Sequence, residues 1–168
     1  MDATGTNAQA GTIAIGYNAL GALTTGTGNL AIGYQALLGH TTGAGNTAIG
    51  YASMDGTAGD VNDAPASIYN TFMGYYSGGG DWADDAASHY NTGVGAYVMD
   101  DAMDGALYNV GVGYATLGGI TTGDYNVGIG GQAGNSITTG IGNVSIGYNA
   151  GDNFDTENYN IAIGYQSM

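Results

Sequence analysis

The chain has no lysine, no arginine, no cysteine and a single proline, Pro65, in 168 residues. Each absence closes a class of function. Without basic side chains nothing can track a phosphate backbone, so nucleic acid is excluded as a partner. Anionic membrane surfaces are disfavoured for the same reason. Without cysteine there is no disulfide framework and no thiolate metal site. No run of about 18 apolar residues occurs, so no membrane insertion is expected. Residues Met1 to Ala10 lack the basic and apolar regions of a signal peptide. That suits a chain assembled from inside a cell, as a virion part is, or a processed or partial product. The 14 acids stand alone and give a net charge of −14. Such a charge serves solubility; the sharper reading is divalent-cation binding.

What the chain has instead is glycine and a repeat. There are 34 glycines, without the Gly-X-Y period of collagen. A pentapeptide of the kind Ile13-Ala14-Ile15-Gly16-Tyr17 returns nine times, with central glycines at 16, 33, 50, 74, 95, 113, 130, 147 and 164. The spacing is 17 residues, stretched to 24, 21 and 18 in the middle. A short fixed period of strand-like units is the signature of a solenoid. The expected fold is all-β, a parallel β-roll or β-solenoid of about nine coils. It forms a single repeat domain over 1–168, with regular coils at 11–54 and 109–168 and expanded loops over 55–108. Stacked coils present surfaces and seldom build catalytic pockets.

Within each repeat the residue before the central glycine is a large aliphatic, from Ile15 through Met73 and Val94 to Ile163. The residue before that is small in all repeats but one, which has Phe72. Alternation of this kind makes a strand with two unlike faces. The large aliphatic row is expected to fill the coil. The Ala/Gly face is expected to let a neighbouring chain approach, as Ala31 and Gly128 would. Four residues before the glycine stands an asparagine in eight repeats: Asn29, Asn46, Asn70, Asn91, Asn109, Asn126, Asn143 and Asn160. Asparagine tolerates the left-handed conformation at corners, and stacked amides can bond from coil to coil. The Thr-Thr-Gly segments at 24–26, 41–43, 121–123 and 138–140 read as a weaker second strand before a turn.

The strings Gly45 to Tyr51 (Gly-Asn-Thr-Ala-Ile-Gly-Tyr) and Asn160 to Gln166 resemble the head repeats of trimeric autotransporter adhesins. They resemble even more the Thr-Thr-Gly-x-x-Asn-x-Ala-Ile-Gly-Tyr repeats of phage tail fibres. The likeness covers nearly the whole chain, although the period of 17 is longer than that of the adhesin heads. It implies a left-handed parallel β-roll wound as a homotrimer, in a virion fibre that attaches to a host. An extracellular or cell-surface adhesin or self-stacking filament is the alternative. An ice-binding solenoid with stacked threonines is a further one, but its Thr-Thr-Gly set is missing from the middle coils.

The repeat runs to both ends without a polar cap, which predicts adjoining fibre or virion subunits there. The expanded linkers 55–67, 77–89 and 100–106 hold nine of the 14 acids and the single tryptophan. Insertions in successive coils emerge on one side. They define a candidate ligand-facing patch of Trp82, Tyr76, Tyr69, Tyr90, His89, Asp81, Asp84 and Asp85, suited to a host-surface glycan by stacking and hydroxyl hydrogen bonds. The competing reading packs these loops over the roll. The Asp-rich stretch 100–105 lacks the EF-hand spacing and could hold calcium only weakly; no other cofactor is expected. Gly128 to Ala133 spells a dinucleotide fingerprint but opens no helix. His40 and His89 sit in separate linkers with no nucleophile beside them, so no enzyme is expected.

Overall fold

The computed structural model describes residues 9–56, 66–82 and 86–168. These residues form nine three-residue strands: β1 (Ile13–Ile15), β2 (Leu30–Ile32), β3 (Thr47–Ile49), β4 (Thr71–Met73), β5 (Thr92–Val94), β6 (Val110–Val112), β7 (Val127–Ile129), β8 (Val144–Ile146) and β9 (Ile161–Ile163). They make one parallel sheet in sequence order. Every step is in register, so the middle residues Ala14, Ala31, Ala48 and Phe72 lie one above another. The fold is a β-solenoid of about eight turns, one fewer than the nine strands that bound them. At about 4.8 Å per strand step, the sheet is about 40 Å tall.

Coil-to-coil hydrogen bonding continues beyond the strands. Gly33 N donates to Ile15 O, Gln35 N to Tyr17 O, Leu37 N to Ser53 O and Gly39 N to Asp55 O, all within 3.0 Å. After each strand the chain turns through consecutive β-turns. Residues two and four past the central glycine have positive φ, as at Gln35 (57°) and Leu37 (52°). A bulky residue such as Leu37 pays about 1–2 kcal/mol for that conformation, and full burial of its side chain offsets it. The central glycine is required twice over. At Gly50 φ is +137°, and a Cβ would collide with the Gly74 carbonyl oxygen of the next coil.

The buried asparagines form a continuous ladder. Asn46 N donates to Asn29 Oδ1 at 2.9 Å, and Asn46 Nδ2 reaches both Asn29 Oδ1 at 3.3 Å and Ser67 O at 2.9 Å. The same set recurs up to Asn143, and Asn160 keeps both bonds to Asn143 Oδ1. It is unbroken where the chain inserts extra residues: Asn70 lies 24 positions after Asn46, yet its N is 3.0 Å from Asn46 Oδ1. The asparagines themselves are not left-handed. The preceding residue is, and it is Gly45 (69°), Tyr69 (58°) or Tyr90 (60°) in different coils.

Two expectations about the strand fail. The Thr-Thr-Gly segments form no second strand; among the described residues the nine strands are all there are. They stack as an irregular wall, with Thr24 N donating to Thr41 O at 2.9 Å and Thr121 N to Thr138 O at 3.0 Å. More consequentially, the facing is reversed. The small middle residues point inward: Ala31, Ala48 and Phe72 are fully buried. The large aliphatics point out, with Met73 40% and Ile129 41% exposed. The Ala/Gly row therefore cannot be an inter-chain contact.

The reason is the thinness of the coil. Leu37, Met54, Val98, Met99 and Leu117, from the turn opposite each strand, already fill the interior. A Cβ on Gly128 would stand 3.0 Å from Leu117 Cγ, and one on Gly111 would stand 2.7 Å from Val98 Cγ1. Phe72 fits because two neighbours are glycine: a Cβ on Gly78 would lie 2.9 Å from its ring, and one on Gly93 would collide with it.

Two mutational outcomes follow. Gly128→Leu should destabilise the isolated chain by about 1–3 kcal/mol or more through overpacking, whereas the adjacent Ile129→Ala should cost about 0.5 kcal/mol, as at an exposed site. Urea melts that rank the two the other way would restore the opposite facing. Asn109→Ala removes the acceptor of Asn126 N and the donor to Gly123 O. The loss is expected to be at least about 2 kcal/mol, because buried partners are left unpaired; a melting temperature unchanged from wild type would show the ladder to be dispensable.

Candidate functional site

Because the small residues turn inward, the strand face that meets solvent carries four columns. Counting from the central glycine, they are the residues five, three and one before it and the one after it. The two inner columns are aliphatic or threonine, such as Val127 and Ile129. The two outer columns are rich in tyrosine. One runs Tyr17, Tyr34, Tyr51, Tyr75, with parallel rings 5.3, 5.0 and 5.2 Å apart. It resumes at Tyr148 and Tyr165, 5.5 Å apart. The other runs Tyr69, Tyr90, Tyr108, Tyr125 at 5.6, 4.8 and 5.1 Å. No acid occupies any of the four columns in any repeat. In a chain with 14 acids and no lysine or arginine, this face is a charge-free strip bounded by aromatic ladders.

The face is about 20 Å across, six residue steps at about 3.3 Å, and about 40 Å tall. That is on the order of 800 Å², the area one partner contributes to a standard interface. The exposed large apolar side chains concentrate here, including Ile13, Ile15, Met73, Val94, Val112, Ile129, Ile161 and Ile163.

The described residues of the predicted ligand-facing patch are placed in different settings. Trp82 is 4% exposed and packs edge-on against Phe72, with ring centroids 5.9 Å apart. It is a core residue of the widened middle coils and not an anchor for a ligand. Phe72 draws it in, being the one large residue in the inward column. Tyr69, Tyr90 and His89 are on one margin of the strand face, where His89 meets Tyr90 edge-on at 6.0 Å. Tyr76 is on the other margin, parallel to Tyr97 at 6.1 Å. Asp81 is exposed. Asp84 and Asp85, with 57–65 of the first expanded loop, lie outside the described residues. Among the described residues no group of three or more His, Asp or Glu is placed to hold a metal ion, and no helix is long and apolar enough to cross a membrane.

The titratable groups owe their shifts mainly to burial. Desolvation raises the carboxyl of Asp55, with the Asp81 carboxylate adding to it, and that of Asp100, with Asp101 adding. His89 is lowered by desolvation, and its Nδ1 accepts from Ile68 N at 3.1 Å. Backbone amides, first that of Asp155, hold Glu157 below its usual range.

His40 is the extreme case. It is 2% exposed, and its Nε2 lies 3.1 Å from Asn46 Nδ2 of the ladder. It stands where Leu23, Ile120, Ile137 and Phe154 stand in other coils, seven residues past the central glycine. Burial pushes its imidazole down to about 4. The unfolded chain therefore binds a proton that the folded chain refuses between about pH 6.5 and 4. The stability present above pH 6.5 is lost as pH falls toward 4, by up to about 3 kcal/mol. His40→Ile should remove this slope; a wild type and a variant that lose stability in parallel from pH 7.5 to 4.5 in urea melts would assign the acid sensitivity elsewhere.

Comparison of the chain with protein-family models, with curated proteins and with solved structures finds no match.

Proposed function

We propose that this chain is a segment of a homotrimeric attachment fibre, wound as a left-handed β-roll and carried on a virion as part of a phage tail fibre. Its work is mechanical: to hold a receptor-binding surface away from the particle on a stiff rod. The observation that carries this reading is the charge-free strand face. Interface cores are depleted of charge and enriched in aromatics, and this face is free of acids and carries at least one tyrosine in every repeat. Burying it between copies removes large apolar side chains from water at about 25 cal/mol per Å². The acids are left on the other walls, where water and salt screen them. Homotrimerisation follows the resemblance of the repeat, with the strand face now turned to the neighbouring chains in place of the Ala/Gly row. The second reading, a cell-surface adhesin, uses the same face and differs in what carries the fibre.

The experiment is the mass of the intact protein in solution. A trimer of the 16.7 kDa chain is expected by mass photometry or sedimentation. Ile129→Asp together with Val112→Asp should yield monomer with unchanged circular dichroism, because both side chains are exposed on the isolated chain. A monodisperse wild-type monomer, or an assembly indifferent to the two aspartates, would remove the proposal.

A further inference from the structure

The tyrosine column after the central glycine is interrupted twice, at Ala96 and at Gly131. Tyr114 stands between the gaps. Every other tyrosine of that column has a parallel neighbour 5.0–5.5 Å away. Tyr114 makes only an edge contact, with Tyr97 at 5.9 Å and 78°. It is 59% exposed, and no other ring covers its faces.

Beside it lies a groove of about 470 Å³. This is within the range of small-ligand sites, roughly 300–1,000 Å³. Tyr97 and Tyr114 form one side, and Asp100, Asp101 and Asn135 supply polar groups. Gly118 and Gly119 also line it. At Gly118 a Cβ would meet Asn135 Oδ1 and stand 3.2 Å from Asp100 Oδ1, both side-chain ends, whereas at Gly119 it would stand 2.7 Å from the Asn135 carbonyl oxygen of the backbone. The two side-chain oxygens thus converge over one backbone atom, from coils on either side. The backbone holds them there: Asp101 N donates to Gly118 O at 3.1 Å and Gly119 N to Asn135 O at 2.9 Å. Among the described residues no hydrogen bond consumes the Asn135 amide or the Asp101 carboxylate. All the lining residues follow the central glycine of their repeat by one to six positions, so the groove opens round the corner from the strand face and borders it.

We propose that this groove is a binding subsite for a neutral pyranose unit of a surface glycan. The inference rests on the attachment reading above and names its ligand class. An aromatic face free of stacking partners fits the apolar C–H face of a sugar ring. Two carboxylates and an amide fit its hydroxyls, with charge-assisted hydrogen bonds from hydroxyl to carboxylate. With no lysine or arginine anywhere in the chain, a sialic or uronic acid would meet only like charge.

The test is saturation-transfer NMR on the intact protein with methyl β-D-galactopyranoside, methyl α-D-glucopyranoside and methyl α-D-mannopyranoside, and with D-glucuronate as the charged counterpart. Transfer to at least one neutral pyranoside and none to glucuronate is expected. Tyr114→Ala and Asp101→Asn, both at exposed side chains, should each weaken the titrated affinity at least fivefold, and Tyr17→Ala, at the far end of the same column, should not. Circular dichroism and particle mass unchanged from wild type keep folding out of the comparison. Absence of transfer from all three neutral probes, equal transfer from glucuronate, or transfer insensitive to Tyr114→Ala would each overturn the proposal. The two readings fail separately: pyranoside binding by a protein that never assembles removes the fibre and leaves the groove. A trimer that adsorbs to cells but binds no pyranoside removes the groove alone.

Discussion

The structure depends on one repeated hydrogen-bonding unit, the buried asparagine that ties each coil to the next. Each amide accepts from the main-chain N–H of the asparagine above it and donates to a carbonyl of the opposite wall, as Asn109 does to Gly123 at 2.8 Å. A buried amide left unpaired costs about 1–3 kcal/mol. The chain therefore keeps this column in register and lets everything else vary. Extra residues between Asn46 and Asn70, and between Asn70 and Asn91, are accommodated without lengthening either link beyond 3.0 Å. The ladder also stiffens the stack, since sliding one coil against the next would break a side-chain and a main-chain bond together.

A second constraint follows from the first. Asparagines that span from strand to opposite wall hold the two walls close, so the coil is thin. A thin coil has no room for a large side chain on both walls. The turn residues Leu37, Met54, Met99 and Leu117 take the space, and the strand must offer alanine, glycine or serine. The large aliphatics then have nowhere to go but outward. The apolar face proposed for assembly is thus a consequence of interior geometry, and the absence of acids from its columns makes it usable by other copies of a chain with a charge of −14. His40 shows the cost of placing a titratable group in so narrow an interior: its imidazole stays neutral far below its ordinary range.

The candidate sites divide by the same logic. Trp82, the most conspicuous residue of the middle coils in the sequence, is absorbed by the interior, because Phe72 widens the coil locally and needs an aromatic lid. Tyr114 is conspicuous only once the repeats are stacked, since what marks it is the missing ring at Ala96 and at Gly131. Those gaps were readable from the aligned repeats. Their meaning required knowing that adjacent rings stack, and that Asp100 and Asn135 arrive from neighbouring coils.

The sequence by itself determined the period, the parallel in-register sheet, the asparagine ladder and the absence of cationic chemistry. Each of these is a property of one position repeated, and stacking identical positions leaves little choice. Only the tertiary structure decided which strand face points inward. Alternation reports that two faces differ, but not which one is enclosed. That choice is made by the volume left between the walls, and therefore by Leu37, Leu117 and Phe72, residues outside the strand or exceptional within it.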